Sequence, residues 1–199
     1  MLQAMAQRMM RPGMTHEQAL ALAAQTIERA GGVSMNVKEI TTKNEDYKTF
    51  VAGLTEAFKS LAKQLAKDGE GATKLLICDV SGAKTKKDAV GVAKTVIGSS
   101  LVKTAMFGAD ANWGRVLCAI GYSGMDVDIS KVNFKSKGGE VLVCEKGAGV
   151  GFDEDEAKEV LSCDTVIINI ELNDGEGFAE AYGCDLTYDY VKINGDYRT

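Results

Sequence analysis

An amphipathic helix followed at once by a short apolar run is the feature that most constrains how this chain can fold. From Asp46 onward, apolar residues recur at i, i+3, i+4 and i+7 spacing, and the pattern stops at Gly69. This spacing predicts a helix with one apolar face, ended by glycine at the C′ position. The next segment, Lys74–Val80, is short and mostly apolar, which is typical of a buried strand. We expect such a helix to pack its apolar face on a sheet.

The rest of the chain predicts further helices and then a strand-rich half. A capping box at Thr15 begins a helix that stops at Gly31, and a long helix is drawn from Lys86 to about Met106. Asp153 is placed as the N-cap of a short helix that ends at Leu161. The predicted strands are Arg115–Tyr122, Lys131–Phe134, Glu140–Cys144, Thr165–Leu172 and Ala179–Ile193, with a hairpin turn at 137–139. This order favours one α+β domain over residues 1–199, with helices layered on a mixed β-sheet.

Composition excludes several classes of protein. With 199 residues, 45% of them hydrophobic, the chain can bury a substantial core. The net charge of -5, with Lys and Arg interspersed among Asp and Glu, argues against nucleic-acid binding. The longest apolar run is too short to cross a membrane, and no apolar segment of a signal peptide follows Arg8 and Arg11. We therefore expect a soluble, cytoplasmic protein.

Cysteine and histidine usage narrows the chemistry further. The five cysteines are widely spaced and include no CxxC pair, which favours neither a disulfide framework nor a zinc site. We expect the cysteines to be small buried hydrophobic residues. Because His16 is the only histidine, a histidine-based triad or metal site is not expected.

A carboxylate between glycines marks the first segment that could carry chemistry. Asp68–Lys74 reads DGEGATK and places Glu70 at the junction of the first helix and strand. Its small neighbours let a ligand approach the backbone, so Glu70 could hold an ammonium group. The alternative is a plain turn after a helix with a solvated Glu70.

Two more polar segments follow. Val102–Arg115 is dense in polar residues and includes the only tryptophan, which suggests a site wall or a subunit seam. Alternatively, Trp113 is a core anchor, and Asp110 forms an ordinary ion pair with Arg115. The final segment, Gly183–Thr199, alternates like a strand and then ends in polar residues that include Asn194.

The strings DGEGATK, LVKTAMFGADANWGR and GCDLTYDYVKINGDYRT together resemble the ornithine acetyltransferases, also called glutamate N-acetyltransferases. The resemblance covers about residues 44–199 and corresponds to the C-terminal, β half of that family, whereas residues 1–43 diverge. It implies the sandwich fold of these enzymes and of the related DmpA aminopeptidases. It also implies an acetyl transfer from N-acetylornithine to glutamate in arginine biosynthesis, through an acetyl-threonine intermediate and without a cofactor.

The same resemblance implies partners and site residues. Family members are two-chain enzymes, so a separate α chain and a heterotetramer are expected, with small amino acids as substrates. Carried over by position, the family's substrate-binding residues fall on Glu70, Asn194 and Thr199. No residue is assigned as a metal ligand.

Two departures from the family pattern bear on catalysis. The Ala-Thr-Met-Leu string that opens the family's β chain is not found, so the nucleophilic threonine is unassigned. A loop rich in Thr and Asp is also missing after Ser34-Met35-Asn36. Two alternatives therefore stay open. One is a catalytically silent relative that keeps the amino-acid pocket as a binding or assembly module, and the other is a relative of the N-terminal-nucleophile aminopeptidases.

Overall fold

A computed structural model describes residues 42–197, and the chain divides into two compact units after Gln64. The described part of the first unit, residues 42–64, contains most of helix α1, Glu45–Lys67. The last residues of this helix belong to the second unit. Asn44 precedes this helix, and its Oδ1 atom accepts a hydrogen bond from the Tyr47 amide at 3.0 Å. Such a bond satisfies one of the amides left free at a helix start. The helix predicted from Asp46 is confirmed, whereas the one predicted from Thr15 lies outside the described residues.

The second unit is built on a six-stranded mixed sheet. The strands are β1 (Leu75–Ala83), β2 (Ile129–Ser136), β3 (Gly139–Glu145), β4 (Ala148–Gly149), β5 (Thr165–Leu172) and β6 (Gly177–Cys184). Their order in the sheet is β4-β3-β2-β5-β1-β6; strand β1 runs parallel to β5, and the other neighbouring pairs are antiparallel. The helices of this unit are α2 (Lys86–Gly98), α3 (Ser100–Phe107), α4 (Trp113–Gly121), α5 (Glu154–Leu161) and α6 (Tyr188–Asp196). The predicted α+β class with helices on a mixed sheet is confirmed.

The core joins one face of the sheet to helices α2, α3, α4 and α5. Burial alternates along β5, and in the parallel register its buried Ile168 lies beside Cys78 of β1. Val92 and Val96 of α2 belong to the same fully buried cluster. Removing this apolar surface from water is the main source of stability. The core therefore fixes the central strands and the strand ends from which the loops emerge.

Several local predictions are confirmed. The hairpin at 137–139 joins β2 to β3, and the strand predicted at Thr165–Leu172 has those bounds. Asp153 caps α5, because its Oδ1 atom accepts hydrogen bonds from the amides of Asp155 and Glu156. The strand predicted at Lys74–Val80 is β1, which continues to Ala83.

The single long helix predicted from Lys86 to Met106 is wrong, because the segment forms two helices bent by 58°. The break is at Ser99, whose backbone is extended. The Ser99 hydroxyl then accepts a hydrogen bond from the Val102 amide and caps α3. A residue that can start a new helix, placed directly after Gly98, is the physical reason for the break.

The strand predicted at Arg115–Tyr122 is also wrong, since these residues form most of helix α4. Asn112 caps the helix, and its Oδ1 atom accepts a hydrogen bond from the Arg115 amide at 3.1 Å. Val116, Ala119 and Ile120 are buried together, which is helical spacing. The short apolar run fits both the helical and the strand periodicity, and the Asn112 N-cap favours the helix.

The strand predicted at Ala179–Ile193 is correct only in its first part. Strand β6 ends at Cys184, and helix α6 begins at Tyr188. Thr187 has an extended backbone, and its hydroxyl accepts a hydrogen bond from the Tyr190 amide, which defines the start of the helix. The alternation of the tail therefore does not continue as a strand.

Within residues 42–197, no single helix is long and apolar enough to cross a membrane, although the bent pair α2–α3 together meets the length and composition limits.

Candidate functional site

The site is assembled where the first and last strands of the chain lie side by side. Leu75 at the start of β1 is the register partner of Cys184 at the end of β6. The loop Asp68–Lys74 that enters β1 therefore meets the segment that leaves β6. The antiparallel pairing brings together two segments that are far apart in the sequence.

Gly71 of this loop lies directly against the start of helix α6. The Thr187 hydroxyl, which caps the helix, donates a hydrogen bond to the Gly71 carbonyl oxygen at 2.7 Å. Gly71 has a φ of +66°, and a Cβ there would lie 2.8 Å from the Tyr190 amide nitrogen. Both facts require glycine at this position. The second glycine of the DGEG turn is thus explained by its docking on α6.

This docking places Glu70 against Asn194, two of the three predicted site residues. The Asn194 Nδ2 atom donates hydrogen bonds to Glu70 Oε2 and to the Tyr190 carbonyl oxygen, both at 2.9 Å. Glu70 Oε1 and Asn194 Oδ1 have no hydrogen-bond partner among the residues that the structure describes. Both side chains are exposed, and together they present acceptor oxygens to solvent. Thr199 lies outside the described residues, and the binding roles of all three stay predictions.

A buried carboxylate that the sequence analysis missed binds the end of the same loop. Asp185 is only 3% exposed, and its Oδ1 atom accepts hydrogen bonds from the amides of Thr73 and Lys74 at 2.8 and 2.9 Å. The Thr73 hydroxyl donates to the other oxygen, Oδ2. A charged residue after a strand was the signal in the sequence, but its partners Thr73 and Lys74 lie 112 and 111 residues away.

Lys74 connects the loop to the end of helix α3. Its Nζ atom donates a hydrogen bond to the Met106 carbonyl oxygen at 2.6 Å. Met106 lies in the last turn of α3, where the carbonyl groups lack partners within the helix. Burial lowers the pKa of Lys74, and the nearby Asp185 carboxylate offsets part of that shift. The rings of Phe107 and of Tyr188 on α6 also make a T-shaped contact, with 5.5 Å between their centroids. The end of α3 and the start of α6 thus flank the same loop.

Other side chains of the segment Val102–Arg115 make local hydrogen bonds. Arg115 donates hydrogen bonds to Leu101 and Thr104, and Asp110 accepts one from Asn112. In this described segment, Asp110 and Arg115 therefore do not form the ion pair considered above. Trp113 packs against the core and lies so close to Gly149 that a Cβ there would overlap its ring. The core-anchor interpretation of Trp113 is thus correct.

The cysteines are less uniform than expected. Cys78 and Cys144 are buried, whereas Cys118 is exposed and the other two are half-buried. Burial raises the pKa of Cys78 and of Cys144. Among residues 42–197, no group of three or more His, Cys, Asp or Glu side chains is arranged to hold a metal ion.

Comparison with known proteins decides between the families considered. The model of the ArgJ family matches residues 15–199, which is most of the chain. The chain belongs to the ArgJ family. This membership confirms the resemblance to the ornithine acetyltransferases and does not favour the aminopeptidase alternative.

Relatives within the ArgJ family are similar over nearly the whole chain. The arginine biosynthesis bifunctional protein ArgJ 1 of Clostridium acetobutylicum is 49% identical over 187 residues, which are 93% of this chain and 44% of that protein. The ArgJ protein of Caldanaerobacter subterraneus subsp. tengcongensis is 51% identical over 175 residues, or 87% of this chain and 43% of that protein. The chain therefore spans less than half the length of these curated relatives.

A solved structure of the ArgJ family has the same fold. The crystal structure of the arginine biosynthesis bifunctional protein ArgJ from Bacillus halodurans superposes with a TM-score of 0.74 at 45% sequence identity. The match covers 83% of this chain and 77% of the crystallised chain.

Proposed function

We propose that this chain is the β subunit of an acetyltransferase that moves an acetyl group from N-acetylornithine to glutamate in arginine biosynthesis. Membership of the ArgJ family supports this proposal. The single observation that carries it further is the contact between Asn194 and Glu70, residues that are 124 positions apart in the chain. These are the residues that the family resemblance selects for substrate binding.

The pair has the chemistry needed to hold an amino acid. Glu70 supplies a carboxylate, and its Oε1 atom can accept a charge-assisted hydrogen bond from a substrate ammonium group. Asn194 holds the carboxylate through Nδ2 and keeps its own Oδ1 atom available as a second acceptor. An ammonium group placed between these oxygens would donate to both. We propose Thr199 as a third polar contact to the substrate.

The transfer itself calls for a nucleophile and a base. In the proposed reaction, a threonine hydroxyl attacks the acetyl carbonyl of N-acetylornithine, and the α-amine of the same threonine accepts its proton. The ornithine amine then leaves with a proton. The glutamate amine attacks the resulting acetyl ester, which forms N-acetylglutamate and restores the threonine. No threonine of this chain is assigned to this step. We propose that an α chain completes the site in a cytoplasmic heterotetramer.

Binding of substrate is the first test. Isothermal calorimetry of the chain, alone and with an α chain of the family, would measure the Kd values of N-acetylornithine, ornithine and glutamate. We expect saturable binding that Glu70→Gln weakens about tenfold, because the ammonium loses its charged partner. The matched control Glu176→Gln changes an exposed carboxylate elsewhere in the second unit and should leave binding unchanged. Absence of heat with all three compounds would contradict the proposal.

The alternative interpretation of the sequence, a catalytically silent relative that binds amino acids, predicts a different result. Mass spectrometry of the intact chain after incubation with N-acetylornithine and an α chain separates the two. A covalent acetyl group adds about 42 Da to the nucleophile. Such an adduct on a threonine supports the transferase, and substrate binding without any adduct supports the silent binding module.

A further inference from the structure

The buried Asp185 carboxylate is directed entirely at the loop that carries Glu70. Its hydrogen bonds come from the Thr73 amide, the Thr73 hydroxyl and the Lys74 amide, all in or next to the DGEG turn. A buried carboxylate is costly unless its oxygens accept hydrogen bonds, and these donors satisfy both oxygens. The reaction described above assigns no role to this residue.

We propose that Asp185 is a positioning residue that fixes the loop Asp68–Lys74 on the first turn of α6 and so sets Glu70 opposite Asn194. This inference rests on the proposed function, because it names the residue that aligns the proposed ammonium site.

The backbone on either side of Asp185 explains how it can transmit a position. On one side, Cys184 is the last residue of β6 and pairs with Leu75. On the other side, Thr187 caps α6 and donates its hydroxyl hydrogen to the Gly71 carbonyl. Asp185 therefore ties the loop at a point between the rigid sheet and the helix that carries Asn194.

Apolar packing offers α6 little alternative support. All residues of α6 are described, and none of them is buried. Its position is therefore held by the bond from Thr187 to Gly71, by the bond between Asn194 and Glu70, and by the ring contact of Tyr188 with Phe107. The Thr187 side chain is buried, and so is that of Asp185, which binds the loop itself. Hydrogen bonds to a buried charge are among the stronger ones in proteins.

The test compares Asp185→Asn with wild type in the full chain, together with an α chain of the family. The asparagine keeps the size and one oxygen acceptor for the two amides, but it removes the charge and the acceptor that faces the Thr73 hydroxyl. We expect the Kd of N-acetylornithine to rise about tenfold. We also expect Glu70→Gln to cost less affinity in the Asp185→Asn background than in wild type, because a misplaced Glu70 has less to lose.

A milder pair of variants keeps the inference testable if Asp185→Asn does not fold. Thr73→Val removes only the hydroxyl bond to Oδ2 and should raise the Kd about threefold. Thr95→Val is the matched control, since its hydroxyl donates to the Gly91 carbonyl within α2, and it should leave the Kd unchanged.

Each outcome of these titrations is decisive. If wild type binds no substrate, the proposed function and this inference both fall. If wild type binds but the Asp185→Asn penalty adds in full to that of Glu70→Gln, Asp185 is merely structural and the inference alone is overturned. An unchanged Kd in the folded variants also overturns it. A raised Kd with a reduced Glu70→Gln penalty supports it, and so does a raised Kd in Thr73→Val but not in Thr95→Val.

Discussion

Helices α2 and α6 begin in the same way but are held by different forces. Each has a threonine N-cap, Thr85 or Thr187, whose hydroxyl accepts a hydrogen bond from an amide of the first turn. Helix α2 then buries Ala89, Val92, Ala93, Val96 and Ile97 against the sheet, whereas no residue of α6 is buried. Apolar burial fixes α2, and polar contacts near its start fix α6. The candidate site lies on the helix that depends on polar contacts.

The largest expected effect separates the two helices by stability. Val96→Ala should lower the free energy of unfolding by about 2 kcal/mol, because it leaves a cavity in a fully buried layer. The matched change Val191→Ala on α6 alters a side chain that is 65% exposed and should cost about 0.5 kcal/mol or less. Denaturant titration measures both values. Equal losses would contradict the claim that burial holds α2 but not α6.

The next prediction concerns the glycine on which α6 docks. Gly71→Ala should cost about 1–2 kcal/mol for a left-handed backbone and should also displace the loop, because the new Cβ meets the Tyr190 amide. We expect the Kd of N-acetylornithine to rise at least about tenfold.

Gly124 provides the control for this change. Its φ is +74°, but among the described residues a Cβ there would meet open space. Gly124→Ala should therefore show the stability loss without any change in the Kd. A Gly71→Ala variant that binds like wild type would refute the docking role of the loop.

The two threonine N-caps allow the effect of the same substitution to be compared between the helices. Thr187→Val and Thr85→Val should each lower stability by about 1 kcal/mol through loss of the cap. Only Thr187→Val should also weaken substrate binding, about threefold, because it removes the bond to the Gly71 carbonyl. Thr187→Ser keeps the hydroxyl and should restore wild-type affinity. Equal effects of the two valine variants on the Kd would contradict the distinction.

The smallest effect is a pH dependence at the edge of the site. The pKa of Lys74 is lowered in the folded chain, so the unfolded chain binds the proton more tightly. The contribution of this group to stability is therefore lower at neutral pH and rises between the lowered pKa and its ordinary value of about 10.4. In Lys74→Met, the free energy of unfolding should rise less over that range than in wild type. Denaturant titrations at several pH values measure the two slopes, and parallel slopes would argue against a desolvated Lys74.

Local signals account for the parts of the fold that the sequence predicted. Helix α1, the strands of the hairpin and the Asp153 cap each follow from neighbouring residues. The failures occur where a cap overrides an apolar pattern. Asn112 turns an apparent strand into α4, and Thr187 ends the strand-like tail and begins α6. Asn112 and Thr187 are both visible in the sequence as possible N-caps. The short apolar runs that follow them, however, fit a strand as well as a helix.

The candidate site was less accessible to prediction from residues alone. Glu70 and Asn194 were selected by family resemblance, and spacing by itself left Glu70 as a solvated turn residue. Asp185 was missed because the groups that donate to its carboxylate lie just before β1, whereas Asp185 itself follows β6. Only the pairing of these two strands brings them together. Such a contact depends on the register of two distant strands, which no local pattern encodes.

A double-mutant cycle on the affinity for N-acetylornithine tests the central claim most directly. Glu70→Gln, Asn194→Ala and the double variant would be titrated in the full chain with an α chain of the family. If the two side chains hold one ammonium group together, their penalties should fall short of additivity by about 1 kcal/mol. Penalties that add to within about 0.3 kcal/mol, or a Kd that neither variant changes, would contradict the account.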